Sequence, residues 1–534
     1  MKASELRMAT HINTKANGLP IFVDPHTGET GSAALPTTLR ARFVERVFSF
    51  QAMLASLLVV GVFMVLRLML VDPDLWWHIK VGEVILSTHH WPMTDPYSFT
   101  VAGHPWLAYE WLGEVLFATV SRIGGVQGLD ALLIVLGSAV ILALYYLATL
   151  RSGNSKAGFV TASVLLILAT PSFSLRPQML GYVFLILTIV CLELFRQGKR
   201  GALWFLPVIM LLWENTHGSW IIGLGAILVY WMSGLLDFHI GEIQSRQWSI
   251  EERTRLSFTF LLCLLVLPIT PYGTRIAVSP FEFAFSLPLN VAGIQEWQPM
   301  PFNLSGGKVF LALLLGFILV QVAFRIRWSL AELSLFLFGT MMACLHLRFL
   351  LVFVPFFAPL MGTIVAQWMP SYDRSKDKWV LNAGLMALVA AGLIYYFPSR
   401  PELERSVAHQ FPVKGIAYLD QHPVPGPMFN TYGFGGYLVW SRGPKHKVFI
   451  DGRGDVYERG GVLSDYLYIS GIKPGALAVL DSYGVQSCFL EHDEALTTLL
   501  SASPKWQRVY TDDVSSLFVR TQLMEASRVT RIGN

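Results

Sequence analysis

The sequence predicts an α-helical polytopic membrane protein with a C-terminal soluble α/β domain. Three observations carry that expectation. Of 534 residues, 53% are apolar and only 14% charged, a composition suited to a lipid environment. Apolar runs of bilayer length recur, and Lys and Arg concentrate in alternate connections between them. After Pro398 short apolar strands alternate with helices, the pattern of a small α/β layer. The net charge of +4 is small and gives no indication of nucleic acid. The four cysteines include no C-x-x-C, so neither a zinc ribbon nor a disulfide framework is indicated.

Residues 1–46 are polar, rich in Thr, Gly and Pro, and are expected to form a disordered cytoplasmic tail. The first apolar run starts too far in, and is too long, for a signal peptide. Residues 47–397 hold about eleven candidate spans, near 47–71, 128–150, 157–171, 178–195, 201–214, 218–236, 256–271, 308–324, 329–346, 348–368 and 379–397. With the N-terminus inside, about 16 basic residues fall in inner segments and about six in outer ones. That asymmetry puts residues 398–534 on the outer side.

This topology sorts the ionisable residues. Asp72, Asp74, His78, Asp95, Glu110 and Glu114 fall in a large first outer loop, 72–127. Arg176 falls in the second loop, Glu214 and His217 in the third, Glu296 in the fourth, and His346 and Arg348 in the fifth. Asp72-Pro73-Asp74-Leu75-Trp76-Trp77-His78 is the most unusual stretch, because acidic groups at a bilayer surface must face water, a cation or a mobile proton. The plainer alternative is a membrane-exit turn with the two indoles in the interfacial belt. Later in that loop, 107–122 is expected to form an amphipathic surface helix with Glu110 and Glu114 on one face. Arg67, near the end of the first span, is expected to meet Asp72 or a lipid phosphate.

In the C-terminal domain the pattern predicts helices near 413–421, 434–441, 474–483 and 493–502. Strands are expected near 427–431, 447–451 and 485–491, with a strand pair over 506–520. Gly433-Phe434-Gly435-Gly436 is similar to a phosphate-binding turn but lacks the dinucleotide spacing. Asp451-Gly452-Arg453-Gly454-Asp455 reads first as a turn closed by an Arg–Asp pair.

The acidic D-x-D after a long first helix, the large first loop with a surface helix, the many spans and the C-terminal soluble domain together resemble the GT-C superfamily. These are membrane glycosyltransferases with a polyprenyl-phosphate-linked sugar donor. Within it the segments Asp74-Leu75-Trp76-Trp77-His78 and Asn430-Thr431-Tyr432-Gly433-Phe434-Gly435-Gly436-Tyr437-Leu438 are similar to bacterial proteins of the protein O-mannosyltransferase and aminoarabinose transferase group. The resemblance implies a multi-pass protein of the bacterial inner membrane. It also implies hexosyl or pentosyl transfer with inversion, to a glycan, lipid or protein acceptor. Two departures stand out. Pro73 splits the acidic pair, and Trp76-Trp77 is followed by His78, so the Trp-Trp-Asp signature of oligosaccharyltransferases is absent and protein N-glycosylation is in doubt.

For such a reaction Asp74 is the expected base, taking the acceptor's proton. Asp72 or Glu110 would orient the acceptor, and Asp72 and Asp74 would hold a divalent cation, Mg or Mn, if one is used. Arg176 and Arg348 are the candidates for the lipid phosphate, with His78, His217, His346 and Trp77 as further donor or substrate contacts. Glu296 falls in the loop that closes on substrate in the oligosaccharyltransferase branch. The competing classes are a lipid or amphiphile transporter or flippase, a metal-dependent hydrolase built on Glu214-x-x-His217, and a non-catalytic membrane protein with a partner-binding outer domain.

Overall fold

A computed structural model describes residues 39–293 and 295–522. Most of the expected N-terminal tail, 1–38, lies outside the described residues, and residues 39–47, at its end, form a helix.

Every one of the eleven apolar segments contains a helix, but among the described residues six helices are long and apolar enough to cross a membrane. They are Phe43–Leu66, Trp111–Ser152, Ser155–Ser172, Gln178–Arg196, Ser305–Phe324 and Leu347–Ala366. A seventh is added if Trp379–Tyr395 and Arg400–Gln410, bent by 61°, count as one. The remaining segments shorten for local reasons. Residues 200–204 are a tight 3₁₀ turn that leaves ten residues, Phe205–Glu214, in the following α-helix. Trp220–Ser233 and Leu330–Leu345 are apolar but short of full span length.

The bundle has two chemically distinct ends. Arg151, Arg196 and Glu332 meet at one end, with Arg151 2.5 Å and Arg196 3.3 Å from the Glu332 carboxylate. Arg176 and Gln178 lie at the opposite end of the 19-residue Gln178–Arg196 helix, about 28 Å away at 1.5 Å per residue. Arg151 and Arg196, from two of the segments assigned to the inner side on charge, thus meet at one end, and Arg176, assigned to the outer side, lies at the other.

The first loop departs from expectation. Asp74–Thr88 is a helix, not the membrane-exit turn that was the plainer alternative for this stretch. Trp76 and Trp77 are 1% and 5% exposed, so they form core rather than an interfacial belt. Trp76 packs edge-on against Phe411 and Tyr437 of the C-terminal region. An amphipathic indole suits both settings, and here the C-terminal region covers the ring. The surface helix begins at Trp111 rather than 107 and runs into the second span. A break at Gly125, with φ +56°, permits the change of direction.

The C-terminal region builds a four-stranded sheet in the order Met428–Asn430, Ser487–Glu491, Ser515–Arg520, Trp506–Thr511, with the first pair parallel and the rest antiparallel. The expected strand 447–451 is absent. Val448 makes a single bridge to Ser98 of the first loop instead, so its backbone joins two parts of the chain rather than extending the sheet. Helices Gly454–Arg459 and Val462–Ser470 were not anticipated. All four cysteines are unpaired.

Glycines let the C-terminal region approach the Asp74–Thr88 helix. A Cβ on Gly436 would overlap the Pro73 carbonyl, and one on Gly435 would overlap the Ile450 carbonyl. The glycine run of 433–436 therefore serves close backbone packing. The buried Arg453 completes the joint, with Nη1 2.7 Å from Asp95 and Nη2 2.6 Å from Asp451. Its guanidinium also lies 4.7 Å from the Trp106 ring centre. Removing one partner from such a buried ion cluster strands the others. Arg453→Met is thus expected to cost about 3–5 kcal/mol, read as a large fall in the unfolding temperature of detergent-solubilised protein. An unchanged midpoint would contradict this account.

Candidate active site

Six separate parts of the chain meet at the Asp74 end of the bundle and line a cavity of about 150 Å³. The first loop supplies Asp74, Trp77, His78, Tyr109 and Glu110, and the short loops between helices supply Arg176, His217 and Arg348. The long 275–298 connection contributes Phe283, Asn290 and Glu296, and the C-terminal region contributes Tyr432 and Asp455.

Asp72 and Asp74 converge as the D-x-D spacing at a helix start allows. Asp72 Oδ1 accepts the Asp74 backbone N–H at 2.9 Å, capping the helix. Arg176 bridges the two carboxylates, its Nε 2.6 Å from Asp72 and Nη2 3.2 Å from Asp74. A third carboxylate, Glu296, lies 3.1 Å from Arg176 Nη1. Arg176, singled out for a lipid phosphate, is thus engaged by three acids. Arg67 turns away from Asp72, toward the Tyr396 carbonyl at 3.4 Å.

A chain of proton-carrying groups runs beside this cluster. His78 sits between Glu110, 3.5 Å from Nε2, and Glu114, 3.3 Å from Nδ1. Glu110 also faces His217 Nε2 at 3.5 Å. The Ser219 backbone N–H donates to His217 Nδ1 at 3.1 Å, which assigns the proton of the neutral ring to Nε2, facing Glu110. Burial, reinforced by Arg348 and Arg176, holds His217 down at about 3. Burial likewise keeps His78 well below the usual imidazole range. Both rings are neutral at pH 7. Burial lifts Glu110 to about 8 against the pull of Arg348 and Arg176. Burial also lifts Asp74, to about 6, with Arg176 opposing and Asp72 assisting. At neutral pH Asp74 is therefore mostly ionised while its neighbour Glu110 keeps its proton, a separation of acid and base roles set by environment.

Arg348 differs from Arg176. Its guanidinium lies 4.5 Å from the Trp297 ring centre and its Nη2 donates to Gln178 Oε1 at 3.4 Å. No carboxylate among the described residues lies within 4.0 Å of it. It is a cavity-lining cation open to an anionic group. His346 stays out of the cavity and contacts the Trp297 carbonyl at 2.6 Å, anchoring the ring beneath Arg348. Glu214 is buried away from the cavity with neither oxygen partnered. It forms no pair with His217, so the Glu-x-x-His spacing builds no joint ligand set.

The acidic pair was also weighed as a divalent cation site. Its oxygens are already shared among Arg176, the Asp74 backbone and the Trp77 indole, which donates to Asp74 Oδ1 at 3.2 Å. No group of three His, Cys, Asp or Glu among the described residues has metal-binding geometry. As arranged, a guanidinium stands where the cation would, and the residues do not fit Mg or Mn.

The cavity wall also holds residues not proposed as site residues from sequence, among them Tyr109, Gln178, Phe283, Asn290, Tyr432 and Asp455. Asp455 had a visible signal in the Asp-Gly-Arg-Gly-Asp cluster. That cluster does contain the expected Arg453–Asp451 closure, and it also delivers Gly452 against Asp74, where a Cβ would overlap the carboxylate.

No protein-family model and no curated protein matches the sequence. Solved structures do match in fold. The structure of ArnT from Cupriavidus metallidurans bound to undecaprenyl phosphate aligns over 88% of this chain and 97% of that one, with 14% identity and a TM-score of 0.50. Archaeal oligosaccharyltransferase AglB from Archaeoglobus fulgidus, in complex with an inhibitory peptide and a dolichol-phosphate, aligns over 85% and 70%, with 10% identity and a TM-score of 0.49. Arabinofuranosyltransferase AftD from Mycobacteria aligns over 89% and 41%, with 12% identity and a TM-score of 0.49. The near end-to-end alignment with ArnT carries the assignment of fold: this chain shares the fold of that solved membrane protein.

Proposed function

We propose that this chain is a membrane glycosyltransferase that moves a sugar from a polyprenyl-phosphate donor to an acceptor hydroxyl or amine, with inversion. The observation that carries this reading is one cavity lined by an ionised carboxylate, Asp74, and an uncommitted guanidinium, Arg348. Asp74 takes the proton as the acceptor atom bonds to the anomeric carbon. The bond from that carbon to the phosphate oxygen breaks, its electron pair leaves with the lipid phosphate, and Arg348 receives the charge. Arg176 fixes the orientation of Asp72, Asp74 and Glu296 and offsets their mutual repulsion. The solved ArnT bound to undecaprenyl phosphate supports a lipid phosphate as the leaving group.

The same reading places the cavity and the C-terminal region on the outer face of a bacterial inner membrane, with the N-terminus inside. The gathering of Arg151 and Arg196 at the other end supports that orientation. The 72–127 loop and the 398–534 region then act as two halves of one extramembrane cap.

Lipid retained through purification tests the assignments. Mass spectrometry of the wild type should find a polyprenyl phosphate or its glycoside, retained in Asp74→Asn and lost in Arg348→Ala; bulk phospholipid alone in all three would count against the reading. Asp74→Asn should lower turnover by about 10²–10⁴-fold, the usual contribution of a positioned base. The pH profile follows from the two shifted acids. Turnover should rise through about 6 as Asp74 loses its proton. It should fall through about 8 as Glu110 ionises and sets a second negative charge beside Asp74 and the anionic donor. In Glu110→Gln the alkaline limb should disappear, and its persistence would remove Glu110 from the account.

A further inference from the structure

One wall of the cavity carries polar atoms that neither the acid cluster nor Arg348 uses. Asn290, 1% exposed, lies in the short helix Pro288–Gly293. Its Nδ2 donates to Glu458 Oε2 at 2.6 Å, and its backbone N–H donates to the same oxygen at 2.7 Å. The anionic partner settles which end of the amide is which, since a carboxylate only accepts. Asn290 Oδ1 therefore points the other way, against Gly454, where any Cβ would overlap it. That oxygen has no hydrogen-bond partner. Asp455, the residue after Gly454, also has a buried oxygen, Oδ1, with no partner. Both residues line the cavity.

Two buried acceptors without donors are costly, about 1–3 kcal/mol each unless a ligand supplies the protons. A phosphate cannot do so, because it brings more acceptors and a like charge. Hydroxyl groups can, and neighbouring hydroxyls on a sugar ring present two donors at once. We propose that Asn290 and Asp455 form a hydroxyl-recognising subsite that holds the sugar ring of the donor while Arg348 holds its phosphate. Glu458 is the positioning residue that holds the Asn290 amide with Oδ1 on the Gly454 side of this wall. Burial raises Asp455 to about 6, so it is mostly an anionic, acceptor-only group at neutral pH. This subsite rests on the transferase reading above and adds to it the source of sugar selectivity.

The test is a lipid-binding comparison by native mass spectrometry on the full chain in nanodiscs. The probes are undecaprenyl phosphate and its glucose, mannose, arabinose and glucosamine glycosides. The wild type should hold at least one neutral glycoside about tenfold tighter than undecaprenyl phosphate, the worth of one charge-assisted hydrogen bond. Asp455→Asn and Asn290→Ala should each abolish that preference while leaving undecaprenyl phosphate binding unchanged, which a general loss of structure would not do. Glu458→Gln should reduce the preference in part, since it retains one acceptor for Asn290. The subsite is overturned if the preference survives both first substitutions, if they weaken all five lipids equally, or if only the glucosamine lipid is preferred, which would mark an ammonium site. Wild type that binds undecaprenyl phosphate without any glycoside preference overturns the subsite and leaves the transferase reading intact. Wild type that binds none of the five overturns both.

Discussion

Arg176, held among Asp72, Asp74 and Glu296, is the interaction on which the rest of the site depends. Three carboxylates brought this close would repel one another and take up protons. The guanidinium lets Asp72 and Asp74 sit side by side at the start of a helix, and its rigid fork reaches each along a different edge. The same residue connects the first loop, the connection before the Gln178–Arg196 helix and the 275–298 segment. Truncating it would leave uncompensated charge in a closed space, a heavier loss than any one contact suggests. An organic cation thus occupies the place that the D-x-D pair suggested for a metal.

A second constraint is steric. The C-terminal region contributes to the cavity only because its backbone approaches the Asp74–Thr88 helix closely, at Gly436 and Gly452, where a side chain would collide with Pro73 or Asp74. Arg453 then pins the joint through Asp95 and Asp451. The glycine run and the Arg-Gly-Asp cluster, which looked like separate curiosities of a soluble domain, are two faces of one interface.

Much of this architecture was legible in the residues. Apolar runs and basic loops sorted the chain into two ends, and Asp74, His78, Glu110, Arg176, His217, Glu296 and Arg348, all assigned to one face, line a common cavity, whereas His346 and Glu214 do not. Local pattern could not say which of them would neutralise each other. Arg176 and Arg348 look alike in sequence, both at span ends, yet one is saturated by acids and the other rests on an indole. Trp76 was ambiguous because the same ring serves an interface or a core, and only the distant Phe411 and Tyr437 decide. Residues 447–451 have the apolar pattern of a strand but form none, because Val448 makes a single bridge to Ser98 rather than joining the neighbouring sheet. Asn290 carried no signal at all, since its role arises from Glu458, far along the chain.

The order in which the cavity's walls occur along the chain has a consequence for biogenesis. Asp74 leaves the ribosome early, directly after the first span, and Asp455 late, with the other membrane-length helices between them. During synthesis the acid cluster is exposed without its C-terminal wall, and the pocket is completed only after the last span has been inserted. Completion of the cavity is therefore coupled to the completion of translation, and a chain stalled before residue 455 carries Asp74 and Arg348 but lacks the wall that Asp455 supplies.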